Sequence, residues 1–250
     1  MALRLELAAL SMAQMKTTAG HRAHLPGLSI AEYGSGIGWT DLVATNAVKS
    51  GEGQNYSAVR DKKARSVRTA LQTLNEAGLV ELRSAPGRAG RYEGFSLRHE
   101  AGTQLSGDPR PYQVPGPTED EVFRLPEGFV ERGWLHVLED SEITVLLMVA
   151  SARGSLWIGR SDMDLEPGEV AIPADARLRR YGIHRDPFSF ARKTLEWFGL
   201  LTVREVARHP DGRAEDDERR LHRLALRPDG FEEEALAKVT GAIALQLKRG

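Results

Sequence analysis

An apolar stripe with helical spacing occurs twice in this chain, in two copies that lie about 121 positions apart. Its members are Val67, Ala70, Leu74 and Ala77 in the first copy and Phe188, Ala191, Leu195 and Phe198 in the second. Positions separated by three and four residues fall on one face of an α-helix. Each copy therefore predicts an amphipathic helix whose apolar face packs into a core.

A glycine and two apolar runs follow each stripe. Gly78 and Gly199 stand where helices commonly end in the left-handed backbone conformation, which glycine adopts most easily. The strands predicted from the apolar runs are 79–84, 92–98, 200–207 and 219–227. A glycine-rich segment at 86–90 predicts the hairpin tip of the first copy. Each copy thus predicts a helix, a glycine stop and a β-hairpin.

Capping residues and short apolar runs predict the remaining elements. These are, in chain order, a helix at 39–48, a helix capped by Asp140 and Ser141, strands at 156–158 and 169–172, and a helix at 173–181 that ends at Gly182. Asp186 and Pro187 predict the start of the second amphipathic helix, as an N-cap followed by proline. Asp229 and Glu232 have the spacing of a capping box for a last helix. The stripe on one side of that helix is Leu236, Val239, Ile243 and Leu247.

A proline-rich stretch at 107–118 separates the two copies. Prolines at this density prevent a helix and favour an extended connector. The predicted organisation is a first domain at 1–104, a connector at 105–120, a second domain at 121–230 and a C-terminal helix at 231–250. A chain of 250 residues suits two domains of ordinary size.

The charge is nearly balanced over the whole chain but not locally. The formal net charge is −1, yet nine basic residues stand against four acidic ones between Arg60 and Arg98. Such a local surplus attracts phosphate groups. The chain has no cysteine, which excludes disulfides and thiolate metal sites. It also has no stretch apolar enough to cross a bilayer and no signal-peptide layout at its N-terminus.

The sequence from Ser66 to Val80, with its hairpin, resembles the helix-and-wing half of bacterial winged helix-turn-helix proteins. The second copy is similar, and two such modules joined by a linker resemble two groups of proteins. One is the plasmid replication initiators with tandem winged helices, and the other is the tandem winged-helix subunits of chromosome-condensing complexes. The resemblance implies an α+β fold, mainly helical, with two winged helix-turn-helix domains and a role linked to DNA.

In a winged helix the recognition helix enters the major groove, and the wing contacts the backbone or the minor groove. The resemblance therefore implies DNA contacts in the first copy from Lys62, Lys63, Arg65, Ser66, Arg68, Thr69, Gln72, Arg88 and Arg91. Arginine pairs with guanine in a bidentate fork, and glutamine pairs with adenine. Arg65, Arg68 and Gln72 are thus the candidate base readers, whereas the lysines and the hairpin arginines are candidates for the sugar-phosphate backbone.

The second copy has a poorer surface for reading bases. Its candidate DNA contacts are Arg179, Arg180, Arg185, Ser189, Arg192 and Lys193, and Arg177 stands beside them as a further candidate for phosphate. Phe190 and Trp197 are aromatic residues at positions that favour contact with a protein partner or with the rest of the domain. The two domains are therefore predicted to contact DNA differently: the first domain reads the base sequence, and the second adds contacts to the DNA backbone.

These residues predict a non-enzymatic, sequence-specific protein that binds double-stranded DNA, most simply a transcriptional regulator in the cytoplasm, associated with the nucleoid. A plasmid-type replication initiator and a protein–protein adaptor with tandem winged helices are the alternatives. The C-terminal stripe either forms a homodimer or packs on the second domain. No cofactor or metal is expected, and the one enzymatic alternative is the glycine loop at 34–38, whose spacing resembles that of methyltransferases using S-adenosylmethionine.

Overall fold

The computed structural model describes residues 1–32, 34–43, 59–102, 110–119, 122–152, 165–204 and 222–247. Its fold is α+β and mainly helical, with small antiparallel sheets, so the fold class expected from the sequence is confirmed. The chain divides into two compact units, Met1–Asp120 and Glu121–Gly250. They are called unit 1 and unit 2 below, and each is described by itself.

Unit 1 places the first copy of the repeated pattern on a helix that packs against the N-terminal helix. Its elements are α1 (Ala2–Lys16), α2 (Trp39–Leu42), α3 (Val59–Glu76), β1 (Val80–Glu81) and β2 (Ser96–Leu97). The strands pair antiparallel, with Val80 opposite Leu97, and both are shorter than the sequence predicted. Residues 44–48 of the helix predicted at 39–48 lie outside the described residues.

The core of unit 1 lies between α1 and α3. Leu5, Val67 and Leu71 are each 0% exposed there, because the apolar stripe of α3 faces α1. Trp39, at the start of α2, packs its ring on that of Phe95 with 5.1 Å between the centroids. The first three members of the predicted stripe, Val67, Ala70 and Leu74, therefore lie on the face that α3 buries, whereas Ala77 lies beyond the end of the helix and is exposed.

Part of the predicted connector belongs to the sheet of unit 1. The Tyr112 N–H donates to the Leu97 carbonyl (3.1 Å), and its own carbonyl accepts from Ala23 N–H (2.9 Å). Residues 110–114 thus lie between β2 and the segment around Arg22, which pairs antiparallel with Gln113. Tyr112 is 1% exposed, so this stretch is extended, as its prolines require, but it is packed rather than a free linker.

Unit 2 contains the second copy and a three-stranded antiparallel sheet. Its elements are α4 (Gly128–Glu131), α5 (Trp134–Val137), α6 (Asp140–Ser151), β3 (Val170–Ala171), α7 (Ala174–Tyr181), α8 (Arg185–Trp197), β4 (Leu201–Arg204), β5 (Arg223–Leu226), a 3₁₀ helix (Pro228–Glu232) and α9 (Ala235–Leu247). The strand order is β3-β5-β4, so β5 is central. The predicted strand at 156–158 lies outside the described residues.

Three predicted helix starts are wrong by one to four residues. The residue before α6 is Glu139, whose N–H donates to the Glu142 carboxylate (2.7 Å), so Asp140 and Ser141 are helical rather than capping. Helix α8 begins at Arg185 after His184, with Pro187 inside its first turn, where a helix does not need the missing N–H. Helix α9 begins at Ala235, because Asp229 and Glu232 belong to the 3₁₀ helix.

An aromatic cluster forms the centre of unit 2. The indole of Trp134 is 0% exposed and lies 6.0 Å from the ring of Phe198 and 6.3 Å from that of Phe231, centroid to centroid. Phe129 adds an edge contact to Phe231 at 6.3 Å. Since Phe198 is the last member of the second apolar stripe, the cluster ties the end of α8 to α5 and the 3₁₀ helix.

The glycine stops of the two copies have the same geometry. Gly78 has φ +72° and Gly199 has φ +77°. After each, the next N–H reaches back to the helix, from Leu79 to the Leu74 carbonyl and from Leu200 to the Leu195 carbonyl, both at 2.9 Å. This pair of features is the left-handed cap predicted from the sequence.

Alanine at Gly199 is expected to destabilise unit 2 by about 1–2 kcal/mol, because an L-residue is strained in the left-handed conformation. A Cβ there meets only the Arg227 guanidinium, at 4.0 Å, so the cost is conformational rather than steric. Gly241→Ala is the matched control, since Gly241 lies inside α9 with open space around it. That change is expected to stabilise by up to about 1 kcal/mol. Urea unfolding curves in which the two variants shift in the same direction would contradict this assignment.

Candidate nucleic-acid interface

The outer face of α3 presents a group of polar and basic side chains. Arg65, Arg68 and Thr69 are exposed and lie opposite the buried Val67 and Leu71. Ser66 and the two lysines at the start of the helix, Lys62 and Lys63, are half-buried. Arg65 and Arg68 are thus separated by about one helical turn, and both side chains are exposed to solvent.

Gln72 and Arg91 form an internal link instead of a free reading surface. Arg91 is 9% exposed and donates from Nη1 to the Ser84 carbonyl (2.8 Å) and from Nη2 to Gln72 Oε1 (3.1 Å). The Gln72 amide nitrogen donates in turn to Glu76 Oε1 (2.7 Å). Both halves of the Gln72 amide are therefore occupied by protein partners. The contacts to adenine and phosphate predicted for Gln72 and Arg91 stay predictions, and they would require these hydrogen bonds to break. No sequence pattern signalled this link between positions 19 residues apart.

These hydrogen bonds hold the hairpin tip beside α3. A shallow cleft separates the helix from the tip, and its lining residues are Gln72, Pro86, Gly87, Arg88, Ala89, Arg91 and Tyr92. Arg88 is exposed on a turn whose glycines, Gly87 and Gly90, have φ of +81° and +71°. The cleft thus brings Arg88 close to Gln72, which helical spacing places on the same side of α3 as Arg65 and Arg68.

In unit 2 the predicted contacts divide into exposed and buried groups. Arg180, Arg185 and Lys193 are exposed, and Ser189 is half-buried. Arg179 is exposed but pairs with Asp175 at 2.5 Å, and this hydrogen bond lowers the pKa of the Asp175 carboxyl. Arg192 is 6% exposed, because it lies on the inner side of α8 next to the stripe, so it is not on the surface where the sequence prediction placed it.

The outer face of α8 is aromatic rather than basic. Phe190 is 77% exposed and Trp197 is 48% exposed, and Lys193 lies between them on the same face. Trp197 stacks on Phe198, with 5.6 Å between the ring centroids. Large exposed aromatic side chains are typical of surfaces that bind other proteins. This face therefore differs in chemistry from the corresponding face of α3.

In the glycine loop that resembles a methyltransferase motif, the acidic residue Glu32 accepts hydrogen bonds from the loop and from the residues before it. The Glu32 carboxylate accepts hydrogen bonds from Ser29 Oγ (3.1 Å) and from Gly34 N–H (3.3 Å). A Cβ at Gly38 would lie 2.9 Å from the Glu32 backbone nitrogen, so glycine is needed there for the loop to pack. The acidic-then-glycine spacing thus has a local structural explanation.

Within the described ranges, no three His, Asp or Glu side chains are grouped closely enough to hold a metal ion. Over the same residues, no helix combines the length and the apolar character that a membrane span requires. No family model, curated protein or solved structure matches this chain. The function proposed below is therefore inferred from the chain's own side chains and contacts.

Proposed function

We propose that this chain is a non-enzymatic, sequence-specific protein that binds double-stranded DNA and acts as a transcriptional regulator. The observation that carries the proposal is the surface of unit 1. There, exposed Arg65, Arg68 and Thr69 share one side of α3, and the Arg91–Gln72 link holds a hairpin tip with exposed Arg88 beside them. A basic helix face next to a basic hairpin tip suits the groove and the adjacent backbone of a duplex.

The arrangement of elements supports a winged helix-turn-helix in both units. In unit 2, α7 and α8 are joined by a short turn at Gly182, and the β4–β5 hairpin follows the glycine stop of α8. In unit 1, α3 is followed by the same glycine stop and by the β1–β2 pair. We interpret α3 and α8 as recognition helices and the hairpins as wings.

The two recognition helices divide the work unequally in this proposal. Arg65 and Arg68 supply direct base contacts, whereas Gln72 and Arg91 position the wing. Unit 2 adds backbone contacts through Arg180, Arg185 and Lys193. Because most of the affinity then comes from neutralised phosphates, we expect binding to weaken steeply as salt increases.

The proposal is tested by selecting fragmented genomic DNA with the purified chain at moderate salt and sequencing what is retained. A few enriched loci that share a motif are expected, and their location at promoters or at a replication origin separates a regulator from a plasmid-type initiator. The double variant Arg65→Ala/Arg68→Ala is the control and is expected to lose the motif while retaining weak general binding. Uniform recovery of all fragments by the wild-type chain would contradict sequence-specific binding.

A protein–protein adaptor is the second candidate, and the exposed aromatic face of α8 favours it. Phe190 and Trp197 are the residue types that form the energetic centres of protein interfaces. In this case a stable partner co-purifies with the chain, and Phe190→Ser releases it. Loss of the partner without any change in DNA selection would assign the aromatic face to protein binding alone.

A homodimer through α9 is compatible with either function. Leu236, Ile243 and Leu247 on the predicted stripe are 72%, 49% and 78% exposed, whereas the helix buries Ala235 and Ala242. The alternative prediction, that the stripe packs on the second domain, is wrong for these three residues. Analytical ultracentrifugation of the wild-type chain and of Ile243→Glu tests the dimer, and a palindromic motif in the selected DNA would accompany it.

A further inference from the structure

Arg177 is a buried cation that has no counter-charge among the residues that the structure describes. The side chain, on the inner side of α7, is 8% exposed, and its Nε and Nη1 atoms are buried without a hydrogen-bond partner. Its guanidinium carbon lies 3.8 Å from the centre of the Phe188 ring, in the first turns of α8. Burial lowers the pKa of this guanidinium from its usual value, and no nearby carboxylate offsets that shift.

The stack on Phe188 does not compensate for this burial. A cation–π contact stabilises a cation by less than the free energy that its removal from water costs. Buried polar groups are nearly always hydrogen-bonded, so the two unpartnered guanidinium atoms of Arg177 are consistent with an acceptor that binds there. An oxyanion would accept from the guanidinium and supply the missing charge in one step.

Helical spacing places one further basic side chain of α7 beside Arg177. Arg180 is exposed three residues further along α7, hence on the same side of the helix. It makes no ion pair in the part of the chain that the structure describes. Arg179 differs, since Asp175 already neutralises it. The turn at 182–184 leads directly from these residues into α8.

We propose that Arg177 and Arg180 form a phosphate seat at the corner between α7 and α8. The seat depends on the proposed DNA-binding function if its phosphate belongs to the DNA backbone, and it is independent of that function if it takes a free phosphate. In either case the Arg177 guanidinium stays on the ring of Phe188, and Arg180 binds the same anion from the solvent side.

The test compares Arg177→Met with Arg179→Met in the full-length chain. Both variants lose one positive charge on α7, but only the first loses the buried cation. Thermal unfolding is followed with and without inorganic phosphate at constant ionic strength, and binding to a random duplex is measured over a range of salt. For Arg177→Met we expect an unfolding temperature equal to or above that of wild type without phosphate, and loss of the increase that phosphate produces. Arg179→Met is expected to retain that increase.

The measurement of duplex binding distinguishes a phosphate of the DNA backbone from a free phosphate. If the seat takes a DNA phosphate, Arg177→Met makes the negative slope of log K against log salt shallower by about 1, and Arg179→Met does not. If duplex binding is unchanged while the response to phosphate is lost, the seat takes a free phosphate. If the wild-type chain does not bind DNA but shows a phosphate response that needs Arg177, the proposed function fails and the seat stands.

A variant of the exposed Arg180 tests the proposal if Arg177→Met does not fold. Arg180→Gln alters a surface side chain and is expected to weaken the phosphate response without changing the unfolding temperature in its absence. Equal phosphate responses in wild type, Arg177→Met and Arg180→Gln would overturn the proposal. So would a loss of the same size in the Arg179→Met control, because it would show that net charge alone is responsible.

Discussion

Arg68→Ala is expected to weaken binding to a selected duplex by about 1–3 kcal/mol, roughly 5- to 150-fold, and to relax the base preference at one position. Arg68 is exposed near the middle of α3, on the side away from the core. Its guanidinium can therefore reach the edge of a guanine without disturbing the packing of Val67 or Leu71. Fluorescence anisotropy with the selected duplex and with a random duplex measures both affinities.

Lys62→Ala is the control for this prediction. Lys62 lies at the start of α3, where it would meet the sugar-phosphate backbone. Its loss is expected to weaken binding to the selected and the random duplex equally. It is also expected to make the negative slope of log K against log salt shallower by about 1. If Arg68→Ala weakens the two duplexes to the same degree, Arg68 binds the backbone and its assignment as a base reader is wrong.

Glu6→Gln is expected to stabilise unit 1 by on the order of 3 kcal/mol at pH 8 and to have no effect below about pH 4.5. Burial in α1, and to a smaller extent the nearby Glu100 carboxylate, raise the pKa of Glu6 from 4.5 to about 7. The folded state therefore binds a proton that the unfolded state has already released between these two pH values. Stability falls as the pH rises through this window, and the neutral amide of glutamine removes the loss.

Hydrogen exchange of the α1 and α3 amides measures this effect in the full-length chain. Comparison of variant and wild type at the same pH cancels the intrinsic exchange rates. Glu100→Gln is the matched second variant and is expected to have a smaller effect in the same direction, because Glu100 is the lesser cause of the shift. Equal protection in wild type and Glu6→Gln at pH 8 would show that the Glu6 carboxylate is solvated.

Local patterns in the sequence predicted the elements that depend on neighbouring residues. The spacing of Val67, Leu74 and their counterparts in the second copy requires helices with one apolar face, and these faces are buried in the structure. Gly78 and Gly199 end those helices because only glycine takes a positive φ at little cost. These features follow from periodicities and backbone preferences within about ten residues.

The predictions that failed depend on residues far apart in the chain. The stretch at 110–114 was predicted as a connector because of its prolines, but its remaining N–H and carbonyl groups complete the sheet of unit 1. Arg192 was predicted to be on the surface, although its position on α8 turns it inward. A side-chain type shows which chemistry is available, whereas burial decides whether that chemistry faces solvent.

The sequence by itself determined the helical stripes, the glycine stops, the hairpins and the basic character of the stretch from Arg60 to Arg98. The tertiary structure alone decided which arginines are exposed on α3, that Arg91 and Gln72 hold the hairpin tip beside it, and that Arg177 is buried with no counter-charge among the described residues. The physical reason is the range of the interactions. Helix and turn preferences act between near neighbours, whereas desolvation and ion pairing depend on which distant segments the fold brings together.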